Sequence, residues 1–292
     1  MGATGDIIFS GLFQGSLYAI MAVGLALIWT TIGVFNFAHG ALMMIGAYAT
    51  WSAVDYLGLP LPLGLFLGVA ASGLIGWGLQ VSLIRPFIGR DDIVLMVVIM
   101  TLSAASFFEN GALELWGPRP KQLPPLVEGT VNLPGLIVSA HQLAIILISP
   151  FILAAIWYLL HKTRFGLQLR AVAQNEEASQ LVGLNLKALY GIAFALSAGL
   201  AALAGIFLGG FKFMSPVMGS DPLLKAMVVV IFGGVATISG PILAAFIIGF
   251  IEAASSYYFG LYWTPAILFL VLITTLMIRP EGLLSTPTRR LS

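Results

Sequence analysis

The residues able to do chemistry are few and scattered. The histidines His39, His141 and His161 stand far apart, and no metal-ligand spacing links them. The acidic pairs Asp91-Asp92 and Glu176-Glu177 are direct neighbours; adjacent side chains on a helix do not face each other, so neither pair makes an acid/base couple. No Gly-Lys pair occurs, so the lysine end of a phosphate-cradling loop is missing and no nucleotide motor is expected in this chain. The absence of cysteine excludes thiolate catalysis, disulfides, iron–sulfur clusters and Cys-ligated zinc. Neither a metal nor a cofactor is expected. What remains is a small set of ionisable groups in apolar stretches: His39, Glu109, Lys225 and Glu252. Glu252 reads either as a group near an interface or paired inside a bundle, or as a direct participant in transport. Lys225 is expected to snorkel to an interface.

The elements that must hold these groups are set by the spacing of charge. Apolar residues make up 59% of the 292 and charged residues 9%, against roughly 25% in a soluble domain. Mean hydropathy is +1.02. So few charges cannot cover a soluble surface, which excludes a soluble enzyme, and a net charge of +1 without a basic cluster excludes a nucleic-acid binder. Uncharged gaps run over 7–54, 56–84, 93–108, 129–161, 188–211, 226–251 and 253–278. About 20 apolar residues cross a bilayer as a helix. The fold class is therefore all-α: a polytopic helical membrane protein of eight or nine spans, near 8–30, 41–57, 61–83, 93–112, 142–160, 189–210, 223–236, 238–258 and 263–278, with broken or re-entrant segments. The seventh is short enough to be a half-helix. The start, Met1 to Asp6, carries no Lys or Arg, so the first span is read as retained rather than as a cleaved signal.

Basic residues orient the chain. Arg85 and Arg90, then Lys162, Arg164, Arg170 and Lys187, then Arg279, Arg289 and Arg290 make nine of the 13, and they share one side if two spans and then four separate the groups. That side is cytoplasmic, with the C-terminus, in a multi-pass protein of the cell (inner or plasma) membrane, and nine crossings leave the N-terminus outside. Within a single transmembrane domain over 1–292, residues 113–141 hold Pro118, Pro120, Pro124, Pro125 and Pro134 and are expected to form an irregular external cap. Residues 161–188 lack proline and are expected to form a short cytoplasmic surface helix.

Three stretches invite a function. In Gly33–Tyr48, Asn36, His39 and Gly40 sit where two spans meet with almost no loop; polar backbone at this depth implies either a broken helix lining a solute path or a capped turn buried in the bundle. The GxxxG steps Gly11/Gly15, Gly64/Gly68 and Gly205/Gly209 suit close helix packing, within one subunit or between two. Around Glu176, an amphipathic helix ending at Gly183 could dock into a partner's groove or be a plain solvated linker.

Glu177-Ala178-Ser179-x-x-x-Gly183 resembles the EAA-x-x-x-G loop of ABC importer permeases, with Ser in place of the third-position Ala. The surrounding RAVAQNEEASQLVGLNLKALYGIAFALSAGLAALAGIF, the earlier VFNFAHGALMMIGAY, and the later VVVIFGGVATISGPILAAFIIG and RPEGLL are similar to permeases of branched-chain amino-acid importers, in family order from about residue 7 to 285. The NFAHG run and short tail look like the smaller of the two permease types. The resemblance implies a transport subunit, not an enzyme. It further implies partners: ATP-binding subunits, a second permease and an external solute-binding protein around a lipid-embedded core. Coupling to the ATPase would fall on Arg170, Glu176, Glu177, Ala178, Ser179 and Gly183, and the path on Asn36, His39 and Gly40. These motifs are shared with permeases for urea and short amides; the alternative from a different class is a gradient-driven secondary carrier.

Overall fold

The computed structural model describes residues 2–88, 92–133, 136–235, 237 and 239–283. Arg90, Asp91, Pro134, Leu284, Arg289 and Arg290, used above, lie outside them. The described chain forms α1 (Gly2–Ile32), α2 (His39–Asp55), α3 (Leu61–Leu79), α4 (Ile93–Trp116), a hairpin of β1 (Thr130–Leu133) and β2 (Leu136–Ser139), α5 (Ala140–Lys162), α6 (Arg164–Gln174), α7 (Glu176–Leu181), α8 (Leu186–Gly209), α9 (Ser220–Gly233), α10 (Ser239–Phe259) and α11 (Thr264–Ile278). Each expected span coincides with a helix. Six are long and apolar enough to cross a membrane, including α3 extended through a π turn (Gln80–Ile84) and a 3-10 turn to Phe87. At 17, 14 and 15 residues, α2, α9 and α11 are shorter.

The core forms around α1, whose residues 16–28 are all buried. In lipid there is no hydrophobic drive between helices, so close backbone contact must hold them. Gly11 and Gly15 lie against Phe250, Phe246 and Gly249 of α10. Gly64 and Gly68 lie against Val54 and Thr50 of α2, and Gly205 against the Met43 backbone. All three GxxxG steps thus pack within this one chain. Ser72 of α3 reaches the Leu42 carbonyl at 3.0 Å and the Ala198 carbonyl at 3.1 Å, tying α2, α3 and α8 together. Inside α5, Pro150 has no N–H for the Ile146 carbonyl, and the Ser149 hydroxyl donates to it at 3.4 Å.

The Pro-rich segment departs from the expected irregular cap at both ends. Helix α4 runs on to Trp116, ahead of the first proline, and β1 pairs with β2 antiparallel, Val131 opposite Val138. Between them the chain is pinned to the bundle. Lys121 exchanges backbone hydrogen bonds with Met214, and Leu123 N–H donates to the Gly209 carbonyl at 3.0 Å. His141 accepts the Leu126 N–H on Nδ1 at 2.9 Å, which leaves Nε2 as the donor to the Phe207 carbonyl at 3.0 Å.

Candidate functional site

The segment between α5 and α8 builds a short exposed helix from ordinary capping chemistry. Thr163 caps α6, whose Leu169 and Val172 are buried while its opposite face is open. Gly166 sits directly against the Leu160 backbone, and the Arg170 guanidinium donates to the Leu160 carbonyl, so α6 is clamped to the last turn of α5. Asn175 then caps α7 by accepting the Ala178 N–H at 2.9 Å. The helix ends in a Schellman motif: Leu184 N–H reaches the Ser179 carbonyl at 3.1 Å and Gly183 N–H the Gln180 carbonyl at 3.0 Å. Gly183 has φ of 86°, the left-handed region that glycine enters without Cβ strain. Ser179 is buried, and its hydroxyl donates to the Asn175 carbonyl at 2.8 Å, so the one departure from the Ala pattern is absorbed locally.

These contacts divide the six residues expected to couple. Arg170, Ser179 and Gly183 hold the segment in shape, and Glu176 turns inward to face the Tyr190 hydroxyl. Glu177 and Ala178 point to solvent. Beside them stand Leu181, 88% exposed, and Val182, 78% exposed, which sequence reasoning missed. Their signal was present: two apolar residues directly before the helix-ending glycine, on an otherwise polar helix.

Two cavities open at opposite ends of the bundle. The first, about 920 Å³, lies under α6 and is lined by the end of α1 from Trp29 to Ile32 and by Gly33, by Arg170, Gln174 and Glu176, and by Thr237 and Ser239. The second, about 190 Å³, lies along the N-terminal half of α1, between Ser10 and Met21, and reaches Leu208, Lys212, Lys225 and Glu252. Ala22–Ile28 of α1 line neither; these seven residues make a packed layer about 10 Å thick.

Asn36, His39 and Gly40 border neither cavity. After α1 the chain turns at Gly33, φ 79°, and runs back into the bundle, so α2 begins at depth. The turn's polar backbone is satisfied by protein: Asn36 Oδ1 accepts the Ala38 N–H at 3.0 Å, and Thr101 Oγ1 accepts the Phe37 N–H at 3.2 Å. His39 is fully buried, with Nδ1 3.3 Å from the Ser197 hydroxyl, and its ring abuts Gly24 in the packed layer of α1. Gly40 meets the backbone of Gly219 at the start of α9. Helix α9 is thus a half-helix starting inside the bundle. The junction is a buried turn whose polar backbone is satisfied by protein.

Lys225 does not snorkel. It turns inward to Glu252 Oε1 at 2.8 Å and to Asp221 at 3.0 Å, while the Tyr18 hydroxyl donates to Glu252 Oε2 at 2.6 Å. The physical reason is that α9 packs beside α10 and α1, which puts the buried Glu252 carboxylate and the Tyr18 hydroxyl within its reach. Glu252 therefore takes the paired place. Among the described residues, no three of His, Asp and Glu converge as a metal site would require.

A helical membrane bundle with a short exposed helix at one end, two cavities and a packed layer between them has the form of a multi-pass transport subunit. The sequence model of the family described as branched-chain amino acid transport system / permease component matches residues 7–278. The chain belongs to that family. It is 27% identical to the high-affinity branched-chain amino acid transport system permease protein BraD of Pseudomonas aeruginosa, over 95% of this chain and 94% of the relative. It is 29% identical to the permease protein LivH of the corresponding Escherichia coli system, over 96% and 94%. The Escherichia coli ribose import permease protein RbsC is 27% identical over 91% and 84%. No solved structure gives a significant match.

Proposed function

We propose that this chain is a permease subunit of an ATP-driven importer that moves branched-chain or related amino acids inward. Residues 1–292 act as one permease domain, with 161–188 as its cytoplasmic coupling loop and 113–141 as its external cap. The subunit works with ATP-binding subunits, a second permease and an external solute-binding protein. The observation that carries the reading is α7: a helix locked by Asn175 and Gly183 at the mouth of the larger cavity, presenting Glu177, Ala178, Leu181 and Val182 outward. Apolar residues left in water on a short helix, beside a carboxylate, suit a groove on a partner.

Motion of that partner would reach the membrane through the Arg170–Leu160 clamp, which joins α6 to α5, and through the cavity that α6 shares with the end of α1. The layer Ala22–Ile28, with His39 wedged beside Gly24, is the barrier this motion must loosen, and in that sense Asn36, His39 and Gly40 belong to the translocation path. The protein performs no covalent chemistry; it exchanges which cavity is open.

The test is uptake of leucine into proteoliposomes holding the complete importer. Uptake is expected to require ATP on the α6–α7 side and to fall about tenfold in Glu177→Lys, a docking loss of about 1.4 kcal/mol, with assembly of the permease pair intact. Uphill uptake by this chain alone on a proton or sodium gradient would establish the secondary-carrier reading instead.

A further inference from the structure

The smaller cavity carries a charge pattern that the coupling mechanism leaves unused. Its wall holds two cations, Lys212 and Lys225, and two carboxylates, Asp221 and Glu252. Lys225 bridges both carboxylates, and Tyr18 holds the second oxygen of Glu252. Gln14 Oε1 lines the same space and is buried without a hydrogen-bond partner. Helix α9 begins at Ser220, so its first-turn N–H groups and positive end lie beside Lys225. Leu17, Met21, Met43, Ala204 and Leu208 give the wall an apolar side. At about 190 Å³ the space is below the roughly 300–1,000 Å³ of sites for drug-sized ligands and takes one small solute.

We propose that this cavity is a solute site within the permease that selects a neutral zwitterion, an α-amino carboxylate with an aliphatic side chain. The proposal rests on the amino-acid reading above and deepens it by placing the solute. The solute's carboxylate replaces one carboxylate on Lys225, under the start of α9. The carboxylate so released, with Gln14 Oε1, takes the solute's ammonium. The side chain lies against Met21, Met43 and Leu208. Glu252 and Lys225 both stay paired through this exchange, whereas a solute with a carboxylate alone leaves the released carboxylate unmatched, one with an ammonium alone makes no contact with Lys225 and the start of α9, and an uncharged solute makes neither contact. The internal ion pair is thus a placeholder for the solute's own two charges.

The chain has no cysteine, so Leu208→Cys supplies a single reporter on the cavity wall. In the assembled importer in nanodiscs, without solute-binding protein, leucine is expected to slow alkylation of the reporter by N-ethylmaleimide. 4-Methylpentanoate, 3-methylbutylamine and urea are expected to leave the rate unchanged. Adding Glu252→Gln is expected to raise the leucine concentration for half-protection by about ten- to hundredfold, the loss of one charge-assisted contact. That variant leaves Lys225 paired with Asp221; should it fail to assemble, the analogue series on the reporter alone decides. Equal protection by the one-charge analogues, or undiminished protection in Glu252→Gln, overturns the proposal. If the unmutated importer takes up leucine yet leucine never protects the reporter, this site fails while the amino-acid reading stands. If it takes up no leucine at all, both fail.

Discussion

At the scale of single residues, the buried polar groups of this chain divide by what faces them. His141 has a partner on each ring nitrogen and is a staple between the Pro-rich segment and α8. His39 has Ser197 on one nitrogen, while Nε2 is buried without a well-formed hydrogen bond, in the layer between the two cavities. A buried polar atom left short of partners is costly. His39→Ala is expected to lower transport and to cost about 1–3 kcal/mol in detergent unfolding; unchanged transport and stability would remove His39 from the barrier. Tyr18→Phe keeps the ring but loses the donor to Glu252. It is expected to cost about 1.5–3 kcal/mol, the value of a hydrogen bond to a charged group, measured by the same unfolding.

At the scale of elements, α7 is short and owes its shape to its ends. Six residues are far below the length at which a helix is stable alone in water, so Asn175 and Gly183 must hold it. Gly183→Ala forces a Cβ into the left-handed region, at about 1–2 kcal/mol. Faster hydrogen exchange at the Leu184 amide and weaker ATPase association are the expected outcomes. Ser179→Ala, by contrast, loses only a hydroxyl that bonds within its own turn, and is expected to leave coupling unchanged and stability within about 1 kcal/mol. Equal effects from the two would mean that the face of α7, not its terminus, is what the partner reads.

For the whole molecule, the two cavities and the layer between them make a map that can be tested from either side. Single cysteines at Gln14 and Thr30 line the smaller and larger cavities, and Ala26 lies in the layer. With a membrane-impermeant maleimide, the cysteine at 14 is expected to react from outside, that at 30 from inside, and that at 26 from neither. ATP-driven turnover of the complete importer is expected to make the cysteine at 26 react. Labelling of the cysteine at 30 from outside would reverse the orientation and with it the assignment of α6–α7 to the cytoplasm.

Much of this molecule was legible in its sequence because a bilayer imposes so strong a constraint. A run such as 7–54 without a charge reads as helices in lipid, and a Gly-to-Gly spacing of four reads as close packing, so the helices follow from composition and the tight seam at Gly11/Gly15 from period, while its partner α10 was supplied by the fold. A surface helix ending at Gly183 was legible too, since a left-handed glycine at a helix end is a local rule. What the sequence left open depends on residues far apart in the chain. Glu252 and Lys225 are 27 positions apart and Tyr18 a further 207 from Lys225, and their union required α9 to start inside the bundle, where Gly40 meets Gly219. Likewise, that His39 stands between two cavities rather than in one was decided by the depth to which the chain folds back after Gly33. Local periodicity encodes which face of a helix is buried; it carries no information on the depth at which broken helices stop, and in this protein that depth decides which charges meet.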